Sequence, residues 1–374
     1  MGEREPEHLL CMEVVGRASG RPSPQGLAAV AALRRVAPTR EEPILASTVA
    51  ILAGSQAAPP WLDAPAFTPV RAWRAADVWD SERVLFIQYD TTDPYATGHT
   101  LMAQILEPGG TMVVKLAVLL ADAAQRWEAL REPGEVPMPL VEQRVETVLA
   151  DLAAALRQTD LYWPRPDDED FVEIRALAWT RCREHLPEWP DVPDLPDSQR
   201  QELIDAFITE AFADGGSGSD DAAPADPTAG GTDTEVARSL ADIFCDYGEG
   251  YITPGLLAWS PDFVSLFLTD WLPRKAFLDA DQRAALAETL RRWLRFALHR
   301  RQVDPVWIEP VVAAVDTFLP EFNAALDDES SWGPAKQIAA ELTARGVDLT
   351  DKAAVDSVIS ELNAARLAQH LIDE

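Results

Sequence analysis

Apolar residues recur along this chain with two different periods, and the changes of period mark its parts. Leu27, Val30, Ala31 and Leu33 keep a helical spacing that must end before Pro38. Ile44, Leu45, Val49 and Leu52 repeat it as far as Gly54, a residue suited to ending a helix. The period then shortens to two. Residues 70–79 and 83–89 are rich in β-branched and aromatic side chains, with Trp79-Asp80-Ser81-Glu82 reading as the turn between them. Residues 100–106 and 112–119 follow, separated by Pro108-Gly109-Gly110. The alternation predicts an antiparallel sheet of about four strands.

Helical spacing returns at 123–131 and at 141–158, where Val145, Val148, Leu149, Leu152 and Leu156 share one face. A third helix at 167–186 opens on Asp167, Asp168, Glu169 and Asp170, acids placed at the positive end of the helix dipole. Pro187, Pro190, Pro193 and Pro196 then exclude helix and predict a strap between domains. Ser198 with Gln201 reads as a capping box for the next helix, which carries Leu203, Ile204, Phe207, Ile208 and Phe212. The tract 214–233 has no aromatic and no large aliphatic side chain, so it is expected to be disordered.

The remainder reads as helix throughout. Val236, Leu240, Phe244 and Tyr247 form a stripe ended by Gly248 and Gly250. Ser260-Pro261 starts a helix expected to stop at Pro273, and residues 281–301 form the longest helix. Asp304-Pro305 starts a helix that Pro310 and Pro320 should break or kink. Gly333-Pro334 opens another that Gly346 closes, and Thr350 caps the last. The fold class that follows is α+β: N-terminal helices plus a small antiparallel sheet packed with helices, followed by an all-α C-terminal module. The expected division is an α+β domain at 1–190, a proline-rich strap at 191–197, and an all-α domain at 198–374 with 214–233 as a disordered insertion.

Charge narrows the classes of partner. The 374 residues hold 62 acidic and 32 basic side chains, a formal net charge of -30, and both halves share it. Such a surface repels phosphate and anionic lipid, which argues against generic nucleic-acid or membrane binding. No run of residues is apolar enough to span a membrane, and the N-terminus lacks a signal-peptide layout. Three cysteines, Cys11, Cys182 and Cys245, lie far apart and cannot all pair, which fits reduced thiols in the cytoplasm. Arginine far outnumbers lysine, the bias of a GC-rich, actinobacterial genome.

Candidate chemistry is sparse. The loop from Tyr89 to His99 gathers Asp90, Asp93 and His99, so that Asp90 and His99 read as a base with its orienter or as two metal ligands. A polar hairpin loop is the commoner explanation of the same residues. Cys182 and His185 stand three apart on a helix, but no nearby residues complete a tetrahedral site. Arg291, Arg292, Arg295, His299, Arg300 and Arg301 form the one basic concentration, suited to an anion or an acidic partner; alternatively, they flank a buried stripe and neutralise acidic neighbours. Trp189 on the strap and Trp61 after Pro59-Pro60 are interface candidates if exposed. No GxSxG elbow, P-loop, GxGxxG, HExxH or EF-hand loop occurs, and no cofactor or metal is implied.

The segments TDWLPRKAFL (269–278), WGPAK (332–336) and GVDLTDKAAV (346–355) resemble a helical module of uncharacterised actinobacterial proteins. The resemblance covers most of the chain and implies the two-part architecture, with no activity attached. The leading functional expectation is therefore a non-enzymatic protein-interaction or regulatory module with an unknown protein partner. An enzyme or small-ligand-binding protein with a site at Asp90, Asp93 and His99 is the alternative, and an acidic DNA-mimic inhibitor is a further one.

Overall fold

The computed structural model describes residues 6–57, 67–91, 97–132, 134–162, 166–189, 195–212, 229–328 and 332–346. They belong to two compact units, Met1–Pro193 and Asp194–Glu374. The fold is α+β, with N-terminal helices, then an antiparallel sheet, then C-terminal helices.

The first unit opens with three helices, α1 (Pro6–Gly20), α2 (Pro24–Val36) and α3 (Glu42–Ala53), around a small core of Cys11, Leu27, Val30, Leu45 and Leu52. Five strands follow: β1 (Thr68–Ala76), β2 (Glu82–Asp90), β3 (His99–Leu106), β4 (Met112–Leu120) and β5 (Leu140–Gln143). Their order is β4-β3-β2-β1-β5, every pair antiparallel. One face of the sheet buries Leu85, Ile87, Leu101 and Ile105 against α5 (Val145–Thr159) and α6 (Glu169–Cys182), through Leu152, Leu156 and Trp179. The other face buries Trp73 and Phe86 beneath Ala124 and Met138, with Trp127 of the short α4 (Trp127–Leu130) alongside. Covering on both faces explains why β2 reads as an almost unbroken apolar run.

The sheet differs from the expectation in its fifth strand, since residues 141–143 are extended and not helical. Four residues are too few to show a period, and their state is fixed by pairing with β1, Leu140 opposite Ala75 and Glu142 opposite Trp73. The third predicted helix is also shorter: α6 ends at Cys182 and a single 3-10 turn, Arg183–His185, follows.

The hairpin turns are held by side chains. Asp77 accepts bonds from the N–H groups of Trp79, Ser81 and Glu82 and from the Ser81 hydroxyl. Gly110 has φ +110, a backbone conformation that favours glycine, and a β-carbon there would sit 1.7 Å from the present position of the Tyr162 hydroxyl. Beside these turns Arg83 is held bidentately by Asp151 of α5, at 2.8 and 3.0 Å, and bonds Glu107 on its other side. Thr111 donates to the second Glu107 oxygen at 2.7 Å, completing the network.

The described residues of the second unit contain helices and no strand: α7 (Asp197–Phe212), α8 (Ala229–Tyr251), α9 (Pro261–Leu266), α10 (Leu272–Lys275), α11 (Ala280–Arg300), α12 (Pro305–Asp327) and α13 (Pro334–Ala344). Its core is aromatic, with Phe207, Phe244, Trp259, Phe267 and Trp293 buried. Several expectations are corrected here. Ser198 lies inside α7, whose first turn bonds Pro196 O, so no Ser198–Gln201 capping box forms. Helix α8 starts at Ala229, within the tract expected to be disordered; residues 213–228 lie outside the described residues, as do 190–194 of the strap and Thr350. The same helix passes through Gly248, where the close approach of Leu256 leaves no room for a side chain: a β-carbon there would lie 2.8 Å from the Leu256 side chain.

Pro273 does not end the helix that begins at Pro261. A π-helical turn, Phe267–Trp271, follows α9, and the helix then runs on without a break through Pro273 as α10. Helix α12 likewise continues through Pro310 and Pro320 and, like α8, has 23 residues against 21 in α11. The motifs LPRK and GPAK meet at the end of α10. Lys336 is buried, donates to Pro273 O at 2.7 Å, and lies 5.0 Å from the Trp332 ring and 5.3 Å from that of Phe277. Gly333 N–H donates to Arg274 O at 3.2 Å. A cation and an amide thus cap carbonyls at the negative end of a helix.

Candidate functional site

Successive residues of a strand face opposite sides of a sheet. Tyr89 and His99 are register partners across β2 and β3, so their side chains share the face covered by α6, whereas Asp90 is turned to the other side. The Tyr89 and His99 rings stack with centroids 5.4 Å apart, and Phe67 meets His99 edge-on at 4.7 Å. Arg181, in the last turn of α6, closes the cluster, its guanidinium 4.6 Å from the Tyr89 ring and 4.9 Å from the Phe67 ring.

Asp90 does not join this group. It is exposed and accepts a bond from Thr91 N–H at 2.8 Å. Asp93 lies outside the described residues. The base-and-orienter pair suggested by the sequence is replaced by a histidine whose neighbours are two aromatic rings and an arginine.

Among the described residues Arg181 makes one hydrogen bond, NH1 to Phe67 O at 3.3 Å, and its buried Nε has no hydrogen-bond partner. No carboxylate pairs with it among the described residues. What offsets its burial is contact with two ring faces and its place at the negative end of α6. Burial pulls its pKa below the ordinary guanidinium range. Burial and the Arg181 charge together pull His99 below its usual 6.5, against a bond to the Thr97 backbone. The Tyr89 hydroxyl is buried with no hydrogen-bond partner among the described residues, and burial raises its pKa. Cys182, next in sequence, is buried, and burial pushes its thiol up to about 12, a setting that disfavours the thiolate.

Arg157 is the second shielded arginine with no carboxylate partner among the described residues. It is covered rather than open: Trp189 lies 3.7 Å over it and Pro187 O accepts its NH1 at 2.7 Å. Trp189 is itself exposed; Trp61 lies outside the described residues.

The basic concentration on α11 is neutralised by its surroundings. Arg291 pairs with Asp316 and Glu288, Arg292 with Glu288 at 2.9 Å, Arg295 with Glu309 at 3.3 Å, and Arg300 with Glu210. Arg301 has a partner as well. Arg292, Arg295, Phe296 and His299 line a groove of about 330 Å³ with Glu210 and Ala211, and its arginines are already satisfied. Among the described residues no cluster of three or more His, Cys, Asp or Glu side chains is gathered to hold a metal ion, and no helix is long and apolar enough to cross a membrane.

Sequence reasoning reached His99 and Tyr89 through their loop but missed Arg181 and Phe67. No local signal marks either, because the contact joins β2, β3, α6 and the residue just before β1. The chain matches no family model, no curated protein and no solved structure.

Proposed function

We propose that this chain is a non-enzymatic cytoplasmic interaction module that captures a carboxylate on its partner at Arg181, beside His99, whose second ring nitrogen becomes a donor when the imidazole is protonated. The observation that carries this reading is the solitary guanidinium. In a chain with 62 acids against 32 bases, a partly buried arginine with no carboxylate among the described residues is read as a recognition group awaiting one. A singly charged carboxylate suits the site better than a phosphate, because the net charge of -30 opposes a dianion more strongly. The same charge speaks against nucleic acid as the partner. The small-ligand alternative keeps His99 but exchanges Asp90 for Arg181.

Titration of the full chain with benzoate and with a short capped acidic peptide, followed by the NMR signals of His99, tests this. Saturable shifts are expected, with the peptide the tighter ligand if the natural carboxylate is a partner's and benzoate the tighter if it is a small molecule's. Arg181→Gln should weaken binding by about tenfold or more, the loss of one charge-assisted hydrogen bond. Absence of saturable shifts with both ligands, or unchanged affinity in Arg181→Gln, overturns the proposal.

A further inference from the structure

A separate feature of the first unit is the unequal treatment of its two sheet edges. β5 forms one edge with four residues, and Arg71 of β1 is clamped to Glu142 on it at 2.7 and 3.0 Å. Short, charged edges resist pairing with other strands. β4 forms the other edge with nine residues, MVVKLAVLL, of which Lys115 alone is charged.

Protection of β4 is concentrated in its first half. Val113 N–H donates to Thr159 Oγ1 of α5 at 2.8 Å, the register shift opposite Gln104 and Ile105 distorts the strand there, and Lys115 follows. Beyond Leu116 these devices stop. Among the described residues no hydrogen bond from another element reaches the outer side of residues 116–119. Val118 is 45% exposed and Leu120 is 69% exposed, on the same face. An apolar strand with unpaired backbone groups is a template for one more strand.

We infer that residues 116–120 pair antiparallel with the same residues of a second copy, joining two sheets into one across a two-fold axis at Val118. Three observations favour this occupant. The segment is self-complementary: with the axis at Val118, Leu116 faces Leu120 of the second copy and apolar meets apolar throughout, as a two-fold contact requires. Two chains of net charge -30 repel, so their contact must avoid acids, and β4 contains none. Helix α6, which packs on β4, is acidic in its first turn at Glu169 and Asp170 and basic in its last at Arg181. A two-fold axis perpendicular to the sheet sets two such helices antiparallel, acidic end toward basic end.

Analytical ultracentrifugation of the full chain across the micromolar range tests the inference. A concentration-dependent dimer is expected. Val118→Lys with Leu120→Lys places two charges of one sign at the axis, on side chains already exposed, so the fold is retained while dimerisation weakens by about tenfold or more. Circular dichroism and thermal melting of the variant confirm the fold. Val118→Cys checks the register, since cysteines facing each other at the axis form a covalent dimer under mild oxidation whereas Val70→Cys, on an exposed residue of β1, does not. A wild-type chain that stays monomeric throughout the range, or a dimer indifferent to the double lysine variant, overturns it.

Discussion

The two ends of strand β2 treat an arginine in opposite ways. At one end Arg83 is almost fully covered and surrounded by Glu107 and Asp151, each an acceptor from its guanidinium. At the other, Arg181 leans on Tyr89 and Phe67 with a single backbone carbonyl for a partner. Both sites belong to one sheet and one core, so the contrast does not come from fold or composition. Arg83 ties two hairpin turns to α5, and its carboxylates are there to make burial tolerable. The Arg181 charge has no such counterpart within the described residues, and its position is better explained by what it can bind than by what it holds together.

The comparison is broken most sharply by Arg83→Met. Glu107 would be left buried without its cation, and about 3–5 kcal/mol of stability should be lost in urea denaturation, the usual cost of breaking a buried pair from one side. A loss below about 1 kcal/mol would mean that the network is ornamental. Arg181→Met is expected to change stability by less than about 1 kcal/mol, since it removes cation–π contacts and a desolvation cost together. A destabilisation as large as that of Arg83→Met would make Arg181 structural and remove the ground for a binding role.

The smallest effect is in pH. His99 has a lowered pKa in the folded chain, so as pH falls below 6.5 the unfolded chain takes up the proton first and stability declines until the folded value is passed. Above 6.5 the residue contributes no slope. Because the Arg181 charge is one cause of the lowering, Arg181→Met should flatten this decline. An unchanged acid-side slope in the variant would mean that the two side chains are not coupled. Bound carboxylate should act in the same direction as the substitution, raising the His99 pKa, so affinity should increase as pH falls toward it.

How much of this was legible in the sequence follows from the range of each interaction. Strands β1 to β4 and most helices announced themselves through period, caps and turns, all set by neighbours in the chain. β5 did not, because four residues carry no period and its partner is β1. Pro273 read as a terminator because proline disfavours helix interiors, yet the helix runs through it just after a π-helical turn. At the site, Asp90 and His99 were associated because they share a loop, but strand alternation puts Tyr89, and not Asp90, beside His99. Arg181 was invisible for a deeper reason: having no carboxylate among the described residues is a property of packing, and nothing in the sequence separates such an arginine from the many ion-paired ones.

The π-helical turn Phe267–Trp271 carries a consequence for how this chain tolerates change in length. A π turn holds one residue more than an α turn needs, so it acts as an insertion absorbed inside a continuous helix. Deleting that residue would restore an ordinary helix locally while rotating everything after it by about 100°. Pro273 O and Arg274 O would then face away from Lys336 and Gly333. The extra residue is thus an angular setting: it fixes the phase between α9 and α10, and with it the side of the helix on which α13 can dock.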